Sequence, residues 1–163
     1  TYASITVDLD VKIGLVTGSI SLAVFLVLQP LFGLLSDKVG RKPLLIVFGL
    51  FFVFGTVPLL NSLTGSFTSL LIVQMTGLVF IALWSSISSA IASELFPARL
   101  RGSGIGFPYA LAVALFGGTG PYIATWLVDI NRIELFGWYV TVVAVISTVV
   151  FLRLPETAHK PLQ

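Results

Sequence analysis

Residues Pro43–Ser93 read PLLIVFGLFFVFGTVPLLNSLTGSFTSLLIVQMTGLVFIALWSSISSAIAS, a run of 51 residues without one Asp, Glu, Lys, Arg or His. As a single helix it would be about 76 Å long, more than twice the roughly 30 Å hydrocarbon core of a bilayer. It must therefore fold back once, and the turn formers Asn61, Ser62, Leu63, Thr64, Gly65 and Ser66 mark where. A charge at the centre of an inserted helix costs about 2.5 to 3.5 kcal/mol, so runs free of charge locate the membrane segments. Three more such runs, Ile13–Ser36, Gly102–Val128 and Leu135–Leu152, are 24, 27 and 18 residues long. The gaps predict five transmembrane helices, near 13–35, 43–60, 67–93, 103–127 and 135–153.

Composition agrees. Of 163 residues, 56% are hydrophobic and 10% charged, with a mean hydropathy of +1.05; a soluble chain carries about a quarter charged residues. Five buried helices of a soluble protein would need far more polar sequence around them than this chain holds. A barrel would alternate polar and apolar residues, whereas segments such as Leu44–Phe54 are apolar on every face. The fold class expected is therefore an all-α membrane protein embedded in a lipid bilayer. The net charge of +2 gives no reason to expect a nucleic-acid partner. Without cysteine there is no thiolate metal site or cysteine nucleophile, and one His, at 159, makes no metal cluster. We expect no metal and no cofactor, and no intramembrane enzyme, which would need a nucleophile with a base or a metal.

Lys and Arg set the orientation. In alternate loops, Lys38, Arg41, Lys42, Arg99, Arg101, Arg153 and Lys160 fall on one side, and Lys12 and Arg132 on the other. Seven against two predicts a cytoplasmic C-terminus and an external N-terminus, hence an upstream span.

The spans differ in character. The second and last carry few hydrogen-bonding side chains and suit lipid-facing positions, with Trp138 and Tyr139 at an interfacial belt. The third holds Ser85, Ser86, Ser88, Ser89 and Ser93, with Gln74 and Trp84 nearer its outer half. Those serines read either as a tightly packed seam or as a polar cavity wall. The fourth contains Gly102, Gly104, Gly106, Gly117, Gly118, Gly120, Pro108 and Pro121, a helix built to bend or to be approached closely. Gly14 and Gly18 form a small-xxx-small pair in the first. No Asp, Glu, His, Lys or Arg lies deep within any span, so a proton-coupling carboxylate or a buried cation is absent unless Gln29 or Tyr109 substitutes in part, and for an ion-coupled parent that chemistry is expected upstream.

Between the first two spans runs Gly33-Leu34-Leu35-Ser36-Asp37-Lys38-Val39-Gly40-Arg41-Lys42. Gly40 permits the positive φ of a very tight turn, Asp37 can cap a helix, and three cations pin the loop to the cytoplasmic side. The pattern resembles the G-x-L-x-D-[RK]-x-G-[RK]-[RK] signature of the major facilitator superfamily. Glu94–Gly102 is similar to that family's E-x-x-P-x-x-x-R segment, and Leu154-Pro155-Glu156-Thr157 to the P-E-T tail of its sugar porters. The fourth span, from Tyr109 through Phe116, Gly117, Gly118 and Pro121 to Leu127, looks most like the metabolite:proton symporters, among them permeases for α-ketoglutarate, citrate, shikimate and proline or betaine. There, Ala110 stands where many relatives have Asn.

The resemblance implies an incomplete C-terminal half, helices eight to twelve, of a twelve-helix transporter lacking its first seven helices. It implies secondary active symport of a small organic acid or zwitterionic metabolite, with protons, by alternating access in the cell membrane. A sugar porter of the same superfamily is the alternative within transport, and a non-transporting membrane scaffold or receptor the alternative outside it. It assigns Gly33, Asp37, Lys38, Gly40, Arg41 and Lys42 to a cytoplasmic gate, and Glu94, Arg99, Arg101 and Glu156 to a charge network around it, in which Arg41 can pair with Glu94 or Glu156. Trp84, Ser85, Ser89, Tyr109 and Phe116 are the expected substrate cavity, and Gly117, Gly118 and Pro121 the points of helix flexibility.

Overall fold

The computed structural model describes residues 10–95 and 101–156, of which 11, 89, 92–95 and 101–105 in backbone only. Five helices are long and apolar enough to cross a membrane, and no strand occurs among the described residues. Helix α1 is Val11–Val39, α2 Arg41–Asn61 and α3 Phe67–Leu95. The fourth rod is α4, Arg101–Ala112, a π turn at Val113–Gly117, and α5, Gly118–Asp129; the last is α6, Leu135–Arg153. The expected spans are all present. The first runs further than expected, because the connection to the second has shrunk to Gly40 alone. The Asp10 carboxylate starts it, accepting a 2.9 Å hydrogen bond from the backbone N–H of Lys12.

Two helix pairs carry the packing, α1 with α3 and α2 with α6. The second pair is antiparallel and is brought close by glycine. A Cβ on Gly49 would overlap Thr148, coming within 3.1 Å of its Cβ, and a Cβ on Gly137 would lie 3.3 Å from Leu60. With little hydrophobic drive between helices in lipid, such close approach is what holds them. Thr56 and Thr148 are buried in α2 and α6, their hydroxyls donating to Phe52 O and Ala144 O on the same helix. Helices α2 and α6 are thus lipid-facing on one side only.

Aromatic stacking joins the pairs: Phe51 lies flat on Phe80 at 3.6 Å between centroids, and Phe48 on Trp84 at 6.1 Å. Leu44, Leu83 and Ile87 form a small core beside them, covered by Phe32, Phe48 and Ile91. The α4–α5 rod stands largely apart, with substantial contacts only to its chain neighbours α3 and α6, and residues 106–119 are all exposed. The expected irregularity of this helix is present as the π turn, a widened turn that ends on Gly117 with Gly118 following it. Gly14 and Gly18 meet no neighbour: a Cβ on either would find nothing within 4 Å.

Replacing Gly49 by Leu should separate α2 from α6 and cost about 1 to 3 kcal/mol of stability. In thermal unfolding in detergent, Gly49→Ala should fall by less and regain most of the loss when combined with Thr148→Ala.

Candidate functional site

Helix α1 ends and α2 begins around Gly40, whose φ of +102° a side chain rarely adopts. A Cβ there would also lie 2.9 Å from Glu156 Oε2, so the position excludes side chains twice over. The reason for that closeness is the N-terminus of α2. Its first free N–H groups, on Arg41 and Lys42, donate to Glu156 Oε1 and Oε2, each at 3.0 Å. Glu156, more than a hundred residues downstream, therefore caps α2, its negative charge placed against the positive end of the helix dipole. This closes the α2–α6 pair at the basic end of the bundle.

Arg41 turns back onto α1. One guanidinium nitrogen, Nη1, donates to Ser36 Oγ at 3.0 Å and to Asp37 Oδ1 at 3.2 Å. Ser36 is buried and donates in turn to Gly33 O at 2.8 Å. The Arg41 side chain is 13% exposed and that of Asp37 62% exposed, so the pair is anchored on the arginine side and open on the carboxylate side. Lys38 is exposed and Lys42 half-buried. Of the expected gate, Gly33, Asp37, Lys38, Gly40, Arg41 and Lys42 gather at this junction with Glu156. Arg99 and the side chains of Glu94 and Arg101 lie outside the described residues.

The expected cavity residues point three ways. Ser85 faces α1, accepting a 3.1 Å hydrogen bond from Gln29 Nε2. Trp84, the preceding residue, is turned about 100° round α3 and lines a groove of about 510 Å³ with Phe48, Phe52, Ile81, Ser147 and Phe151. Tyr109 and Phe116 are both 62% exposed on the α4–α5 rod. The Ser89 side chain lies outside the described residues. These helices therefore do not enclose the four described side chains, Trp84, Ser85, Tyr109 and Phe116, in one cavity. Gln29, which the sequence offers with Tyr109 as a partial stand-in for a buried charge, is instead the polar partner of Ser85.

Comparison with known proteins adds to this geometry. The family model described as Major Facilitator Superfamily matches residues 3–163. An alpha-ketoglutarate permease of Escherichia coli (strain K12) is 39% identical over 147 residues, 89% of this chain and 34% of that protein. A glycine betaine/proline/ectoine/pipecolic acid transporter of Dickeya dadantii is 31% identical over 85% of this chain and 28% of its own length. A citrate-proton symporter of Salmonella typhi is 29% identical over 77% of this chain and 30% of its length. The chain thus spans about a third of the length of these relatives. No solved structure matches it.

Glu156→Ala should unfasten the α2 N-terminus and lower stability by about 1 to 2 kcal/mol, within the range for a charge at a partly buried helix end. Thermal unfolding in detergent should show Glu156→Gln recovering part of that loss, since its amide oxygen still accepts one N–H.

Proposed function

The chain belongs to the major facilitator superfamily, and from that premise we propose that it is the C-terminal part of a secondary transporter. Its cargo is a small organic acid or zwitterionic metabolite, moved together with protons by rocking of two helical halves about a midplane site. The relatives named for α-ketoglutarate, citrate and glycine betaine or proline support that class of cargo over a hexose. The five apolar helices place the chain in a membrane as an integral protein. The excess of Lys and Arg at the Gly40 end assigns that end, and the C-terminus, to the cytoplasm.

The observation that carries the mechanism is the division of labour between two carboxylates at one junction. Glu156 is committed to the α2 N-terminus, bonded to two backbone N–H groups. Asp37 is open to solvent and, among the described residues, is bonded to the Arg41 guanidinium alone. An exposed ion pair is worth about 0 to 1 kcal/mol, too little to hold a fold and little enough to exchange. Asp37 is the gate carboxylate: in the outward-facing state it accepts hydrogen bonds from the N-terminus of a helix in the other half, while Arg41, held by Ser36, keeps it oriented. Tyr109, Phe116 and the Ser85 face of α3 line the substrate path once the other half closes over them. The deep parts of these helices carry no Asp, Glu, His, Lys or Arg, so the proton site and the cation facing a substrate carboxylate lie on the other half.

In the full-length protein, Asp37→Asn should lower uptake about tenfold or more while surface abundance falls less than twofold, read by radiolabelled uptake and surface biotinylation side by side. Equal loss of both removes the gating role. Uptake should collapse with a protonophore and be competed by dicarboxylates or betaine, with hexoses inert.

A further inference from the structure

All but one of the five helices pair off about the α2–α6 contact. Chain order divides them into two runs that end on these two helices: α1 and α2, then α3, the α4–α5 rod and α6. Spans alternate in direction, so α2 and α6 are antiparallel, and a rotation exchanging them about an axis in the membrane plane turns one run into the inverse of the other. The contacts follow that rule. Gly49 of α2 meets Thr148 of α6, and Gly137 of α6 meets Leu60 of α2. Helix α1 touches α2 only lightly, as the rod touches α6. Helix α3 has no counterpart. It packs broadly on α1 and, with Phe80 on Phe51 and Trp84 on Phe48, on α2.

The rotation carries those two contacts of α3 onto the rod and onto α6, and both places are open. Residues 106–119 of the rod are exposed. Beside α6 lies the groove of about 510 Å³, lined by Phe48 and Phe52 of α2, Ile81 and Trp84 of α3, and Ser147 and Phe151 of α6. Ser147 points to what fills it. On the same helix, Thr141 and Thr148 donate to the carbonyls of Gly137 and Ala144, whereas the Ser147 hydroxyl makes no hydrogen bond among the described residues. A lipid tail suits the rings but leaves that hydroxyl unpaired; a helix brings apolar side chains and a polar group together.

We propose that this groove seats the transmembrane helix immediately upstream of α1. As the counterpart of α3 it runs opposite to α3, which is the direction that alternation gives the span before α1. It lays an apolar face on Ile81, Trp84 and Phe151, hydrogen-bonds Ser147 and continues beside the rod. Trp84 then holds helices together and does not reach the cargo. The inference rests on the reading of the chain as the C-terminal part of a longer transporter, in keeping with the third of a relative's length that it covers.

In the full-length protein, benzoylphenylalanine placed at Phe151 or, separately, at Ile81 and photolysed in native membranes should couple to the first span upstream of α1, mapped by mass spectrometry. An adduct with phospholipid puts an acyl chain in the groove and overturns the proposal, as does coupling confined to residues 1–163, to a more distant span or to another polypeptide. A nitroxide on Ser147→Cys, in a background freed of other cysteines, should be immobilised and poorly accessible to both oxygen and a water-soluble nickel chelate. High access to oxygen marks a lipid-facing site, and high access to nickel a water-filled one; either result overturns the helix seat. Neither readout depends on uptake. A protein that gives the upstream adduct yet moves no cargo sinks the proposed function and leaves this packing standing, while uptake with a lipid adduct does the reverse.

Discussion

Hydrocarbon offers no hydrogen-bond partner, so the backbone N–H and C=O groups inside these helices must pair within the chain. That constraint orders the structure. It makes the segments helices, so that backbone groups pair internally, and it turns threonine hydroxyls back onto the preceding turn of their own helix, as at Thr56 and Thr148. It also leaves side-chain volume, rather than water exclusion, to decide which helices touch. Gly49 and Gly137 select the α2–α6 pair by letting backbones approach. The α1–α3 pair is joined differently, by a polar bond between Gln29 and Ser85.

The same constraint explains what could be read from the sequence. Charges are costly in lipid, so the gaps between them delimited all five spans, and the Asn61–Ser66 cluster located the fold-back. The direction each face takes was far less legible. A helix that is apolar on all sides has almost no amphipathic stripe, and periodicity then says nothing about which side meets a neighbour. Trp84 and Ser85 are adjacent and were read as one cavity wall, yet the first stacks on Phe48 and the second bonds to Gln29. Gly14 and Gly18 carry the small-xxx-small spacing and touch nothing, while Gly49, outside any such motif, makes the tightest contact. Spacing records that an approach is sterically allowed, and the partner's surface decides whether it occurs.

The fold also separates rigid from loose parts. Helices α2 and α6 are locked along their length by Gly49 against Thr148 and at one end by Glu156. Among the described residues the α4–α5 rod has substantial contacts only with its chain neighbours, and it contains a π turn that ends on Gly117, so its exposed residues remain available to surfaces beyond these five helices. For the proposed rocking mechanism this is a workable division: one pair keeps its geometry while the exposed rod, bearing Tyr109 and Phe116, meets the rest of the protein.

At the Gly40 junction the proposed gate would not weaken the helix it sits on. Helix α2 starts without a side-chain cap of its own, because Gly40 has none to offer. If Asp37 served as that cap, releasing it to another helix would expose free N–H groups and cost α2 its first turn. Glu156 removes the conflict by satisfying those N–H groups from a different helix. Among the described residues Asp37 contacts Arg41 at its exposed side, and Arg41 holds a second bond, to the buried Ser36, that Asp37 does not share. The strong interaction is thus the one that must persist in every state, and the weak one is the contact that the proposed cycle has to break.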